Sequence, residues 1–335
     1  QTFPTQLSIY KDGVTRRIIS VPNPYSFANT VKNELARIEP QQRCCRIAQL
    51  AGLVRMDGTI LIGSKNSLSL ELVTENAAIA RMAFKEFKSL FQIEAELTVQ
   101  RRNRLKKNNV YQVRLPADGK VMEVLNVLGL TKDGLMYNPT VSERIVRKEC
   151  CKHSYLRGVF LGSGSLSDPH NSYHLEIVTN SEEYSESLVK FMESLGLEPK
   201  ISSRKQNLVV YFKESEQIVM FLGMIGAHNA LLQLEDIRIQ KEMRNNVNRM
   251  MNCEIANINK TVSAASRQID NIELIAEKIG FEQLPYQLRT VAEARLAHPE
   301  VSLKELGELM EPPLGKSGIN HRMRKINEIA DDLRA

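Results

Sequence analysis

The residues best equipped for chemistry are one acid and three groups of cations. Asp57 ends the phrase Leu50-Ala51-Gly52-Leu53-Val54-Arg55-Met56-Asp57-Gly58, which returns as Leu156-Arg157-Gly158-Val159-Phe160-Leu161-Gly162-Ser163-Gly164 with serine in the acid's place. The run Gln100-Arg101-Arg102-Asn103-Arg104-Leu105-Lys106-Lys107-Asn108-Asn109 holds five cations and no acid, and Ser203-Arg204-Lys205-Gln206-Asn207 is its shorter counterpart. Near the C terminus, Lys316, Ser317, Asn320, His321, Arg322 and Arg324 crowd the start of one segment. Cations at this density suit phosphates, while Asn and Arg can also make bidentate contacts with base edges. The alternative reading of a hairpin tip this basic is a loop kept soluble by its charge.

These residues sit on a duplicated unit. Cys44 and Cys45 recur as Cys150 and Cys151, Leu50 as Leu156, Gly52 as Gly158 and Gly58 as Gly164, all at an offset of 106. Leu70-Glu71-Leu72-Val73-Thr74 is echoed by Leu175-Glu176-Ile177-Val178-Thr179 at 105, and Leu128-Gly129 by Ile225-Gly226 at 97, so the second copy has lost residues between. A fixed period over this length marks two copies of one structural unit.

A chain of 335 residues, 42% hydrophobic, has room for two or three domains. Its net charge of +6 and isoelectric point near 9.0 favour an anionic partner only weakly. The five cysteines form two adjacent pairs and a lone Cys253, without CxxC spacing. They indicate neither a zinc ribbon nor a disulfide framework, and read as reduced, partly buried helix residues of a cytoplasmic protein, with no metal or other cofactor. No stretch approaches a membrane span, and residues 1–25 lack an apolar signal core.

Periodicity predicts, in the first copy, a helix over Arg46 to Met56 and a hairpin of Thr59–Ile62 with Leu68–Val73. A helix over Asn76 to Phe91, a second hairpin of Ile93–Val99 with Val110–Leu115, and a helix over Val121 to Leu128 complete it. The second copy reads alike: a helix to Gly162, strands about Tyr173 to Val178, a helix over Ser181 to Leu195, strands near Lys200–Ser203 and Leu208–Phe212, and a helix over Glu214 to Ile225. Two such units with antiparallel strands make an α+β domain of two αββαββα repeats. Glycine inside a helix costs about 1 kcal/mol relative to alanine. Gly52 and Gly158 therefore predict close contact between the two motif helices, with Ala48 and Gly162 completing small faces at i, i+4 spacing.

No Gly or Pro occurs from Ala227 to Ile279, which predicts a long helix. Arg238, Lys241, Arg244 and Asn248 share one side of it, either tracking phosphates or simply solvated. Ile237, Met243, Val247, Met250 and Met251 are expected to pack in a core. Beyond Gly280 three short helices follow. One runs from Leu284-Pro285 to Ala297, one is capped by Ser302 with Glu305 completing a capping box, and one opens at Lys316 or Ser317 after Pro312-Pro313. A short helix, a turn and a basic helix match a helix-turn-helix.

The phrase Leu50 to Gly58 resembles the LAGLIDADG motif of homing endonucleases. The resemblance implies two packed motif helices and two curved sheets forming a saddle over DNA. It also implies metal held by the acid before each final glycine, here Asp57 and Ser163. Cleavage of that kind needs carboxylates converging on divalent ions, and serine breaks the pair. Asp57 is otherwise a helix-end or turn residue.

From Ser26 to Leu333 the chain resembles the WhiA family of bacterial transcription regulators. The resemblance rests on the paired cysteines and glycines, Asn76-Ala77-Ala78-Ile79-Ala80-Arg81, Arg104-Leu105-Lys106-Lys107-Asn108, Ile225-Gly226-Ala227-His228-Asn229-Ala230 and Arg244-Asn245-Asn246-Val247-Asn248-Arg249. It implies an extension over 1–25, a degenerate LAGLIDADG-like domain over 26–230 with repeats at about 44–130 and 150–227, a helical linker over 231–283 and a helix-turn-helix domain over 284–335. It further implies sequence-specific binding of double-stranded DNA without cleavage, at cell-division or sporulation genes. Such a protein would be a nucleoid-associated cytoplasmic monomer with internal pseudo-two-fold symmetry, working with other transcription or cell-division proteins. The competing reading is a metal-dependent endonuclease acting through Asp57.

Overall fold

The computed structural model describes residues 26–63, 67–101, 109–117, 120–132, 136–204 and 207–334. The extension over 1–25 lies outside the described residues. The described chain opens with a helix that the periodicity did not include, α1 (Phe27–Leu35), which buries Val31 and Leu35 and is capped by the Ser26 hydroxyl accepting from the Asn29 N–H at 3.3 Å. The first repeat follows as α2 (Arg43–Asp57), β1 (Gly58–Ile62), β2 (Leu68–Thr74), α3 (Ala77–Phe91), β3 (Glu96–Arg101), β4 (Asn109–Leu115) and α4 (Val121–Val127). A two-stranded connection, β5 (Thr131–Lys132) and β6 (Met136–Tyr137), leads to the second repeat. That repeat is α5 (Glu149–Ser163), β7 (Gly164–Leu166), β8 (Leu175–Thr179), α6 (Glu182–Glu193), β9 (Lys200–Arg204), β10 (Asn207–Phe212) and α7 (Ser215–Ile225). The strands expected about Tyr173 to Val178 do not reach back to β7, whose three residues are too few to show alternation.

Each repeat builds one antiparallel four-stranded sheet, and the strand orders β1-β2-β4-β3 and β7-β8-β10-β9 are the same path drawn twice. Register turns Leu70, Leu72, Val113 and Leu115 of one sheet, and Leu175, Ile177, Val210 and Phe212 of the other, into a shared core with α2 and α5. The outer hairpins differ in length. Seven residues separate Arg101 from Asn109, but two separate Arg204 from Asn207, which accounts for much of the residue loss in the second copy.

The stretch without Gly or Pro is one helix, α8 (His228–Lys278), and a 3-10 turn at Phe281–Gln283 leads to α9 (Tyr286–Ala297), α10 (Leu303–Glu308) and α11 (Lys316–Asp332). The chain divides into two compact units between Ile239 and Gln240, inside α8. Ala230 and Leu234 belong to the first core, while Ile272 and Ile275 join Leu288, Val291, Leu306, Ile319, Met323 and Ile326 in the second. The separate linker expected over 231–283 is thus shared by the two units. Among the described residues no helix is long and apolar enough to cross a membrane.

Candidate nucleic-acid interface

The two motif helices touch backbone to backbone. A methyl group on Gly52 would collide with the Tyr155 carbonyl, one on Gly158 with the Gln49 carbonyl, and one on Gly162 would lie 2.5 Å from Met56 Cβ. This is the contact that the paired glycines predicted. Around it, Arg157 Nη1 donates to Gln49 Oε1 at 3.0 Å and Nε to the Ile225 carbonyl at 2.6 Å, both in the interior. Arg55 breaks the symmetry of the repeats. It donates to Tyr137 Oη at 2.5 Å and to the Asn138 carbonyl at 2.6 Å, and stacks on Tyr137 and Tyr184, so it fastens α2 to the connection between the repeats.

Asp57 and Ser163 end α2 and α5, where the motif resemblance puts a metal site. Burial pushes the Asp57 carboxyl up to about 7, and the charge of Lys32 on α1 opposes that shift. Lys32 donates from Nζ to the Gly162 carbonyl at 3.2 Å, and burial holds its own pKa down against the pull of Asp57. The donor set is therefore one carboxylate, one neutral hydroxyl and an ammonium. It does not fit divalent ions, which need converging anionic oxygens, because Lys32 already supplies the local positive charge. Lys32 was missed in the sequence. Its signal was there in the Ser26 cap and the Val31–Leu35 spacing of a short helix ahead of the first repeat.

The saddle surfaces are chemically mixed. Alternation puts Thr98, Glu96, Gln112, Arg114 and Glu71 on the outward face of the first sheet, where Gln112 donates to Glu71. Arg101 is exposed, but it shares its face with Leu97 and Val99, the face that carries Val113 in the core. Arg204, with Lys200, lies on the outward face of the second sheet, its guanidinium 3.9 Å from Glu176. Arg102, Arg104, Lys106, Lys107 and Lys205 lie outside the described residues.

The C-terminal unit is built by caps and apolar spacing. Ser302 and Glu305 form the expected capping box, with Glu305 N donating to Ser302 Oγ at 3.3 Å and Ser302 N to Glu305 Oε2 at 2.8 Å. Gly307 lets the Leu314 carbonyl approach where a side chain would clash. The buried Arg295 donates to the Val301 carbonyl at 2.7 Å and pins the loop between α9 and α10. Helix α11 buries Ile319, Met323, Ile326 and Ala330, which turns Lys316, Ser317, Asn320, His321 and Arg324 to solvent. Arg322 departs from that set: it is half-buried and donates to the Gln287 carbonyl of α9 at 3.5 Å.

Two expectations for α8 need correction. Met243, Val247, Met250 and Met251 are exposed rather than packed in a core, and of the expected stripe Ile237 alone is buried. The first core takes its last residue on this helix at Leu234 and the second its first at Ile272, and among the described residues those from Met243 to Met251 stay exposed between them. Arg238, read as one of a basic row, is paired with Glu216 at 2.9 Å and Glu235 at 3.5 Å.

The opposite end of the motif helices gathers what the sequence treated as separate pairs. Cys44 and Cys45 stand in the first turn of α2, Cys150 and Cys151 in the first turn of α5, and all four Sγ atoms lie within 4.8 Å of one another. The signal was the common offset of 106, because equivalent positions on two helices that meet across a pseudo-two-fold axis must lie together.

Three family models match most of the chain: the WhiA N-terminal LAGLIDADG-like domain at residues 43–131, the WhiA LAGLIDADG-like domain at 152–244 and the WhiA C-terminal HTH domain at 247–330. A probable cell division protein WhiA of Desulforamulus reducens is 48% identical over 311 residues, covering 92% of this chain and 97% of the relative. That of Brevibacillus brevis is 52% identical over 311 residues, covering 92% and 98%. The crystal structure of full-length WhiA from Thermatoga maritima matches with a TM-score of 0.56 at 26% identity, covering 92% of this chain and 99% of that one. With identity at this level along nearly the whole length and three family models matching most of the chain, the chain belongs to the WhiA family.

Proposed function

We propose that this chain is a sequence-specific DNA-binding regulator of transcription that does not cut DNA. The observation that carries this reading is the solvent face of α11, where Ser317, Asn320, His321 and Arg324 stand clear of the buried stripe at helical spacing. Asn and Arg on such a face reach base edges in a major groove, while Lys316 and the open N–H groups of the helix start suit a phosphate. The saddle contributes affinity through its outer hairpins, or serves as a platform for transcription and cell-division proteins. Glu71 and Glu96 beside Arg114 make its first sheet a poor phosphate track. The charge of Lys32 acting on Asp57 and the serine at 163 support a scaffold that has given up phosphodiester chemistry. The targets proposed are genes of cell division or sporulation, bound in the cytoplasm at the nucleoid by a monomer.

Selection of sites from random duplex DNA, using the full chain and a chain lacking residues 284–335, tests the assignment. The full chain should enrich one motif and the truncated chain none; equal enrichment would refute base reading by the C-terminal unit. Neutralising Arg101, Arg102 and Arg104 should weaken binding to every sequence and flatten its salt dependence. Supercoiled DNA incubated with magnesium or manganese should stay intact. Nicking that disappears in Asp57→Ala would instead make the protein an endonuclease.

A further inference from the structure

We propose that Cys44, Cys45, Cys150 and Cys151 form a tetrathiolate site for one thiophilic divalent cation, for which zinc is the probe, clamping the two repeats together. Each repeat supplies half of the ligands, so the site exists only when the helix pair is assembled. From Cys45 to Asp57 is 12 residues of α2, which puts the site about 18 Å from the degenerate acid position, at the other end of the same helices.

Geometry selects a single ion. A tetrahedral zinc centre with Zn–S near 2.3 Å spaces its sulfurs about 3.8 Å apart, and the four Sγ atoms already lie within 4.8 Å of one another. A shift of about 1 Å, within the reach of χ1 adjustments in first-turn side chains, closes the shell. Iron–sulfur clusters place sulfide-bridged iron between their cysteines, and so need the four thiols farther apart than they stand.

Burial pushes the Cys45 thiol up to about 11 and the Cys151 thiol further, so the inner pair gives up its protons only to a bound cation. All four cysteines occupy the first turns of α2 and α5, where the helix dipole favours negative charge. Because Gly52 and Gly158 hold the two helices in contact, the positive ends of both dipoles converge on one spot. Arg147 and Lys148 line the recess that holds Cys44 and Cys151, and offset part of the charge of a metal tetrathiolate. Gln42 Oε1 accepts from Cys44 Sγ at 3.4 Å and from Cys150 Sγ at 3.6 Å, so one amide already bridges thiols of the two repeats. Cys150 is exposed and Cys44 half-buried, which provides a way in, while Cys45 and Cys151 close the inner side. Binding is proton exchange without redox change: four thiols release four protons as four metal–sulfur bonds form, leaving a centre of charge −2.

The test uses the full chain, reduced, exposed to zinc and freed of unbound metal. Elemental analysis should find one zinc per chain, and cobalt in its place should give the visible absorption of tetrahedral thiolate coordination. A thiol reagent should modify one cysteine fast, the exposed Cys253, and four more only after chelation. Cys44→Ser and Cys150→Ser, the half-buried and the exposed member of the four, should each lose the bound ion and the zinc-dependent rise in thermal midpoint. In both variants the circular dichroism of the metal-free protein should stay unchanged. Zinc retained by the double variant Cys44→Ser/Cys150→Ser, less than one equivalent on the parent chain, or cysteines found as disulfides after anaerobic purification would each overturn the proposal.

Discussion

Arg157, in the middle of α5, donates to the side-chain oxygen of Gln49 in α2 at 3.0 Å, and so ties one repeat to the other inside the core. The bond has no symmetric twin, since the residues 106 positions away from each partner are Tyr155 and Ala51. The same guanidinium caps the carbonyl end of α7 through Ile225. A duplicated fold has thus been locked by an interaction found in neither copy alone.

Removing one partner should be felt. Gln49→Ala leaves Nη1 of a buried guanidinium without its acceptor while Nε keeps the Ile225 carbonyl, and hydrogen bonds to charged groups are worth about 1.5–3 kcal/mol. The urea midpoint should fall with no change in slope. Gln49→Glu keeps an acceptor and adds an opposing charge, so it should lose less than Gln49→Ala. The reverse order would mean that Gln49 matters through its volume alone.

Gly158→Ala should cost more than a helix propensity scale would suggest. Alanine is the better helix former by about 1 kcal/mol, yet its methyl would meet the Gln49 carbonyl and lie 2.9 Å from Leu53 N, both backbone atoms with no rotamer to escape into. The helices must part, and overpacking of this kind costs about 1–3 kcal/mol or more. Gly223→Ala is the control, because its nearest neighbour is the flexible tip of Leu231 at 3.5 Å. Thermal melts should show a loss for the first substitution and none for the second.

That contact was legible in the sequence, since a glycine costs stability twice at equivalent positions only for a reason that both copies share. The sheets were legible for the same cause: alternation in Leu68–Thr74 and Asn207–Phe212 reports a buried face. What stayed hidden depended on a third partner. Lys32 approaches Asp57 from a helix outside the repeat, so no internal comparison could reveal it. Arg322 carries the charge of a base reader, but its place on α11 turns it toward α9. Met243 and Met250 look like core by composition, yet whether anything covers a helix is a tertiary fact that the helix's own sequence does not encode.

Asp57 makes stability depend on pH. Its folded pKa, about 7, lies above the ordinary 3.8 because burial disfavours the anion. Between those values the native state binds more protons than the unfolded one, so the carboxyl's contribution is full in acid and lost as pH rises through about 7. The stability of the parent chain minus that of Asp57→Asn should decline from about pH 4 to about pH 7 and then level off. Lys32 tempers the decline, and in Asp57→Asn it loses the charge that raised its own pKa. A difference that is flat over that range would mean that Asp57 ionises in the fold as it does in water.

The substitutions in α11 should separate three roles carried by one helix. Asn320→Ala and Arg324→Ala remove exposed groups that can pair with base edges, and each bidentate contact is worth about 1–3 kcal/mol of discrimination. Binding to the selected site should therefore fall about 5- to 150-fold, with little change on unrelated DNA. Lys316→Ala should weaken all sequences alike and lower the salt slope by about one. Arg322→Ala should instead lower the thermal midpoint of the C-terminal unit, because it cuts a tie between α11 and α9 at Gln287, and should leave the preferred site unchanged. If Arg322→Ala alters the preferred site while Arg324→Ala does not, α11 is rotated on DNA relative to the face derived from its buried stripe, and base reading shifts by about half a turn.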